Sequence, residues 1–195
     1  MQEDEQRQFW IRRLEATGKA QARHLWVLLI AQLFYLALHA SGANSHEITV
    51  PVIDLRLNAL TVLASGAPVI AFLVLVVMGA IRAWTHAVEQ VAGTSPVKDA
   101  EHLDAHPNAI DFAMYTTTRS PAVIKKILYF VYPLFLLIAL VESAWLGAWL
   151  GRNPLVPWRV VFIGVLAVTW IPAAFLVLAM WLKRLRKLWQ ERSAV

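Results

Sequence analysis

Four long apolar stretches constrain this chain more than any other feature of its sequence. They cover residues 25–43, 59–81, 127–150 and 160–182, and the one normally charged side chain among them is Glu142. A helix needs about 20 apolar residues to cross the roughly 30 Å of hydrocarbon in a bilayer. Backbone polar groups find no partners in lipid, so these stretches are predicted to be helices despite their many Val and Ile residues. The predicted fold is an all-α integral membrane protein, a bundle of four transmembrane helices.

The composition agrees with a lipid-facing exterior. Of the 195 residues, 58% are hydrophobic and 16% are charged, which leaves too few charges for the surface of a soluble domain. The chain has no Cys, which excludes disulfides, thiolate nucleophiles and Cys-based metal sites. The first two dozen residues are too charged for the apolar core of a secretory signal, so we expect the first span to be retained as an anchor.

The Lys and Arg residues predict the orientation of the spans. Five lie before residue 25, five between residues 82 and 126 and five after residue 182, against three on the opposite side. Basic residues that flank spans are retained in the cytoplasm. We therefore expect a bacterial inner membrane protein with both termini in the cytoplasm. The same clustering at membrane flanks argues against nucleic acid as a partner.

The segments outside the spans are short. The cytoplasmic loop at about residues 82–126 is too small and too poor in periodic apolar residues for an independent domain, so residues 1–195 are predicted to form a single membrane domain. In the outer connection, Ile48, Val50 and Val52 alternate with polar or turn residues, which predicts a short extended segment. Pro51 argues against a central strand there.

The basic C-terminal tail is a candidate lipid-binding segment. Apolar side chains alternate there with cations, a pattern that can hold anionic lipid. The four candidate lipid-binding residues are Lys183, Arg184, Arg186 and Lys187. The alternative is an ordinary positively charged stop signal at the end of the last span.

Glu142, in the third predicted span, is the leading candidate for a functional residue. An ionisable side chain inside a bilayer is costly and by default indicates a functional site, here for a proton or cation or in the lining of a pore. The structural alternative is a protonated carboxyl, or an ion pair with Arg56, Arg152 or Arg159. The spans offer no obvious second acid or base for a proton relay.

Small residues recur at four-residue spacing along the same predicted helix. This small-residue stripe consists of Ala139, Ser143, Gly147 and Gly151. Small faces let helix backbones approach closely in lipid. The stripe therefore predicts a packing surface, either for a second chain or for another helix of the same bundle.

Histidines suggest two further sites. His24 and His86 lie near the inner surface at a similar predicted depth, so they are the pair that could hold a haem b group between two helices, although no cofactor is predicted overall. His102 and His106 are four residues apart in the central loop and could present two imidazoles to a metal. Leu103 stands where a zinc protease helix needs Glu, which excludes that reaction.

The stretch ITVPVIDLRLNALTVLASGAPVIAFLVLV, followed by a polar loop and YFVYPLFLLIALVESAWLGAWL, resembles a four-span module of uncharacterised bacterial membrane proteins, some of which carry pentapeptide repeats. The match rests on Val50, Pro51, Pro68 and the layout from about residue 25 to 182. The resemblance implies the four-span architecture. This chain has no pentapeptide repeats, so no activity of those repeats transfers to it.

These features favour a non-enzymatic membrane protein. The first hypothesis is that it acts by assembly, as a homo-oligomer or as a small accessory subunit among other membrane protein chains and lipids, because of the small-residue stripe. One alternative is an ion channel or membrane-permeabilising effector that uses Glu142. Another is a redox subunit that binds haem through His24 and His86.

Overall fold

Four long helices dominate the structure. The computed structural model describes residues 2–42, 47–50, 55–93, 122–154, 156 and 158–193. Its elements, in chain order, are α1 (Gln2–Ala40), β1 (Glu47–Val50), β2 (Leu55–Asn58), α2 (Ala59–Gly93), α3 (Ala122–Arg152) and α4 (Arg159–Ser193).

All four helices are long and apolar enough to cross a membrane, which confirms the prediction of four such helices. Helix α1 differs most from its predicted bounds, because it begins at Gln2 and ends at Ala40. Its 39 residues are about 58 Å long, nearly twice the thickness of the hydrocarbon. Gly42 explains why the helix ends before residue 43: its φ of 66° is the left-handed conformation that follows many helices and that glycine adopts without strain.

The outer connection is an antiparallel hairpin. Strand β1 pairs with β2 from Glu47 opposite Asn58 to Val50 opposite Leu55, so the predicted extended segment is part of a two-stranded sheet. Pro51 follows β1 directly and lies outside the described residues. Asn58 also fixes the start of α2, because its Oδ1 accepts a hydrogen bond from the N–H of Leu60 at 2.8 Å.

Apolar side chains occupy both the interior and the surface of the helices. The buried side chains are mostly apolar, for example Leu28 and Ile70, and large apolar side chains are also exposed, among them Val168 at 76% and Phe175 at 69%. A few polar side chains are buried within this apolar interior, with Gln32 exposed by 5%, Glu142 by 7% and Ser143 by 0%. Exposed apolar faces of this extent are typical of helices whose surrounding solvent is lipid.

The chain divides into two compact units. Unit 1 combines Met1–Trp26 with Val76–Leu134, and unit 2 combines Val27–Leu75 with Phe135–Val195. In unit 1, the ring of Trp10 on α1 lies 5.6 Å from the ring of His86 on α2. The guanidinium of Arg13 lies 5.5 Å from the centre of the Trp10 ring, which adds a cation–π contact.

Unit 2 contains parts of all four helices, joined by side-chain hydrogen bonds. Ser143 of α3 donates to the carbonyl of Ala67 in α2 at 2.7 Å, and Trp170 Nε1 of α4 donates to the carbonyl of Leu140 in α3 at 3.2 Å. Unit 2 also contains a buried apolar cluster of Ala64, Leu150 and Val156, with Trp149 and Phe162 packed against it. Such bonds are worth about 0.6 kcal/mol each between membrane helices, so most of the stability comes from close packing.

Candidate functional site

Helix α1 presents a polar face inside unit 2. Gln32, Tyr35 and His39 follow a spacing of three and four residues, which places them on one side of a helix. Gln32 and Tyr35 are buried, and His39 is half-buried. The opposite side of α1 carries exposed apolar side chains, including Ile30 and Leu33. The polar face of α1 is therefore its inner face.

Helix α3 carries a matching face with the same spacing, formed by Glu142, Trp145 and Trp149. The side chain of Gln32 is hydrogen-bonded to the carboxyl of Glu142. The ring of His39 lies 4.3 Å from that of Trp145 and 6.0 Å from that of Trp149, both nearly perpendicular to it. We refer to Gln32, His39, Glu142, Trp145 and Trp149 as the polar seam.

The polar seam contains buried polar atoms without hydrogen-bond partners. Oε1 of Gln32, Oε1 of Glu142 and Nδ1 of His39 are all buried and have no partner among the described residues. Since Oε1 of Gln32 is unpaired, its amide NH₂ group is the donor to Glu142. A buried polar atom without a partner costs about 1–3 kcal/mol. Three such atoms in one seam make it the candidate functional site of unit 2.

Hydroxyl groups next to the polar seam are satisfied. Tyr35 and Ser65 share a hydrogen bond of 3.1 Å between α1 and α2, and Ser65 Oγ donates to the carbonyl of Val62 at 2.7 Å. Gly66 makes this contact close, because a Cβ at that position would lie 2.7 Å from Cδ1 of Tyr35. The tyrosine is thus fixed against α2 while Gln32 and His39 contact α3.

Glu142 makes no ion pair with Arg152 or Arg159 in the part of the chain that the structure describes. The side chain of Arg56, the third candidate partner, lies outside the described residues. The carboxyl instead contacts a neutral amide. An amide partner does not hold the carboxyl in its ionised form as a guanidinium does.

The small-residue stripe is used largely within the chain. Ala139 and Ser143 are fully buried, and Ser143 is bonded to α2. A Cβ on Gly147 would lie 2.5 Å from Cδ2 of Leu166 in α4, so this glycine allows α3 and α4 to approach closely. Gly151 is exposed and has open space around it. Two members of the stripe, Ser143 and Gly147, therefore pack on other helices of the same chain.

The structure does not bring His24 and His86 together. Trp10 is the residue of α1 that lies against His86. His24 follows Trp10 by about four helical turns, roughly 21 Å along the same helix. A haem held by two histidines needs them at one level on facing helices, so this pair does not form the predicted haem site.

The other predicted sites are described only in part. His102 and His106 lie outside the described residues. In the described residues, no group of three or more His, Cys, Asp or Glu side chains is arranged for a metal ion. In the tail, Lys183 and Arg186 are exposed on α4, as a lipid-binding role requires, whereas the side chains of Arg184 and Lys187 lie outside the described residues.

The sequence predicts Glu142 as a candidate site residue but does not single out Gln32, Tyr35 or His39, which lie in the same region of the structure. Neutral polar residues lower the hydropathy of a span only slightly, so they do not stand out in an apolar stretch. Their spacing of three and four residues is the sequence feature that could have identified them. Glu142, Trp145 and Trp149 of α3 have the same spacing.

No family model, no curated protein and no solved structure matches this chain. The resemblance to the four-span module of bacterial membrane proteins stays a prediction.

Proposed function

We propose that this is a multi-pass membrane protein that conducts or carries a small cation through the polar seam of unit 2. The observation that supports this most is the group of three buried acceptor atoms without partners on Gln32, His39 and Glu142. These atoms line up along two adjoining helix faces in segments apolar enough to span a bilayer. Intramembrane ionisable residues that face a bundle interior generally mark ion or proton pathways.

The chemistry of the polar seam favours a positively charged ligand. A carboxyl oxygen, an amide oxygen and an imidazole nitrogen can all accept a hydrogen bond or share electrons with a cation. The adjacent indole rings of Trp145 and Trp149 add negative ring faces, which also attract cations. Lys and Arg are absent from residues 27–40 and 135–151, which carry the seam, so an anion would meet no opposite charge.

Transport is tested by ion flux into proteoliposomes. Purified protein is reconstituted, and the entry of H⁺, Na⁺ and K⁺ is followed with ion-sensitive dyes under an imposed membrane potential. We expect flux with the native chain and a loss of roughly tenfold or more with Glu142→Gln, equivalent to about 1.4 kcal/mol in the barrier. Glu15→Gln is the matched control, because it makes the same change at an ion-paired residue of unit 1. Equal flux through native and Glu142→Gln proteins contradicts the proposal.

Our proposal places the protein in the bacterial inner membrane with both termini in the cytoplasm. The distribution of Lys and Arg supports this orientation. The absence of Cys makes the test direct, because a single introduced cysteine is the only thiol in the chain. In intact cells, a membrane-impermeant maleimide should label Ser45→Cys, in the outer connection, and leave Ser193→Cys unlabelled. The reverse labelling pattern contradicts the orientation.

Assembly with further copies or partners also stays a prediction. The small-residue stripe that suggested it packs largely on α2 and α4, so the structure supports the cation hypothesis more strongly. Light scattering of the protein in nanodiscs gives the number of chains per particle. More than one chain supports assembly, and a monomer without co-purified partners contradicts it.

A further inference from the structure

We infer that the ligand of the polar seam is the proton, and that His39 is its second binding group beside Glu142. This inference rests on the proposed function and names the transported species. It adds to Glu142 the second titratable residue that a relay within the membrane requires.

The number of available ligand atoms argues against a metal cation. Calcium takes six to eight oxygen ligands, magnesium takes six, and potassium filters replace a complete hydration shell. Among the described side chains of the polar seam, the unpaired oxygens are one on Gln32 and one on Glu142. The neighbouring hydroxyls of Tyr35 and Ser65 are already bonded to each other. A proton needs only one acceptor atom, which the seam provides.

The contact between Gln32 and Glu142 is compatible with both protonation states of the carboxyl. When the carboxyl is ionised, it accepts a hydrogen bond from the NH₂ group of Gln32. When it is protonated, its O–H can donate to Oε1 of Gln32, which otherwise has no partner. Binding of a proton therefore satisfies both unpaired oxygens of this pair at once.

His39 provides a second place for a proton. Its Nδ1 is buried and has no partner among the described residues. In the tautomer with its hydrogen on Nε2, a proton bound at Nδ1 makes an imidazolium without breaking an existing bond of that atom. The positive ring would then lie beside Trp145 and Trp149, whose ring electrons stabilise a cation. His39 lies about two turns beyond Gln32 on α1, which puts the two proton sites roughly 10 Å apart along the helix.

Within the described side chains of unit 2, few other charges lie near these two groups. Residues 59–75 of α2 and residues 160–182 of α4 contain no acidic or basic residue. The hairpin of the same unit carries Glu47 and Arg56, whose side chains lie outside the described residues. Tyr35 of α1 is the neighbouring titratable side chain, and it faces Ser65. Arg152 and Arg159 stand at the ends of α3 and α4. Proton binding in the seam thus depends mainly on Glu142 and His39.

The proton cycle balances in atoms and charge. Nδ1 of His39 takes a proton from water on one side of the membrane, which gives an imidazolium. The imidazolium passes this proton, by way of water in the seam, to Oε1 of the Glu142 carboxylate, which restores the imidazole and gives a neutral carboxyl. Release of the proton from Glu142 to the other side restores the carboxylate, and one positive charge has crossed.

The test measures proton binding separately from transport. Protein with ¹⁵N-labelled histidine is placed in nanodiscs, and the signal that disappears in His39→Phe is assigned to His39. We expect this signal to change with pH, and its pH dependence to differ in Glu142→Gln because the two groups share one seam. His24→Phe, a change of another histidine in α1, should leave the titration as it is. A His39 signal that does not change with pH overturns the inference. So does a His39 signal whose pH dependence is the same in the native and Glu142→Gln proteins.

Flux distinguishes failure of this inference from failure of the proposed function. Proton flux in proteoliposomes should fall roughly tenfold or more in His39→Phe, a barrier change of about 1.4 kcal/mol, and remain native in His24→Phe. Flux of Na⁺ or K⁺ that needs Glu142 but not His39 overturns the inference and leaves the proposed function standing. If no ion crosses, the proposed function fails, while a coupled titration of His39 still supports proton binding.

Discussion

The two faces of α3 differ in how completely they are satisfied. On the side of α2 and α4, Ser143 has its hydrogen bond and Gly147 allows close packing against Leu166. On the side of α1, Glu142 keeps a buried oxygen without a partner. One side of α3 is thus closely packed with its hydrogen bonds satisfied, and the other side carries a buried polar atom without a partner among the described residues. Close packing accounts for the first face, whereas we propose that a ligand completes the hydrogen bonding of the second.

Overfilling the packed face should have the largest effect on stability. In Gly147→Leu, the new side chain meets Leu166 where a Cβ alone already lies 2.5 Å from Cδ2. We expect a loss of about 1–3 kcal/mol in the free energy of unfolding. Gly151→Leu is the matched control, because the same change in the same stripe enters open space. Thermal unfolding in detergent measures both, and equal midpoints for the two variants would remove the distinction between them.

Changing one member of the buried polar pair should cost more than changing both. Gln32→Leu leaves Glu142 without its donor, and we expect a loss of about 1–2 kcal/mol. The double variant Gln32→Leu with Glu142→Leu removes both polar groups and should be as stable as the native chain or more stable.

The double variant should also have no cation flux. A variant that keeps its stability and loses flux would show that the polar pair serves function and not stability. A double variant less stable than Gln32→Leu alone contradicts our view that the polar pair is kept at a cost in stability. Chemical denaturation in mild detergent and flux in proteoliposomes are the two measurements.

Removing the hydrogen bond of the packed face should have the smallest effect. Ser143→Ala loses the bond to the carbonyl of Ala67, with an expected cost of about 0.6 kcal/mol. Cation flux should stay native, because Ser143 faces α2 and not the polar seam. Thr169→Ala is the control, since its hydroxyl bonds only to carbonyls of its own helix. A strong loss of flux in Ser143→Ala would extend the functional site to this face.

The sequence predicts the four long helices because hydropathy and length depend on one segment at a time. It also predicts Glu142 as the leading site residue, because a carboxylate stands out in an apolar span. It does not predict that Gln32 lies opposite Glu142, or His39 opposite Trp145, because such pairs depend on how two distant helices are aligned. For the same reason, the similar predicted depth of His24 and His86 did not mean that they meet.

The small-residue stripe likewise depends on how distant helices are aligned. Spacing alone predicts a close contact along α3, and the structure shows close contacts of Ser143 and Gly147. Spacing does not say which helix supplies the other side of the contact. Here the contacts come from α2 and α4 of the same chain.

We propose above all that Glu142, on the side of α3 that faces α1, binds a proton. Infrared difference spectroscopy of the protein in nanodiscs tests it directly, because a protonated carboxyl has a C=O band that a carboxylate lacks. We expect a component of this band that grows as the pH is lowered, is absent in Glu142→Gln and is present in Glu15→Gln. A native spectrum without any pH-dependent band that Glu142→Gln removes would contradict it.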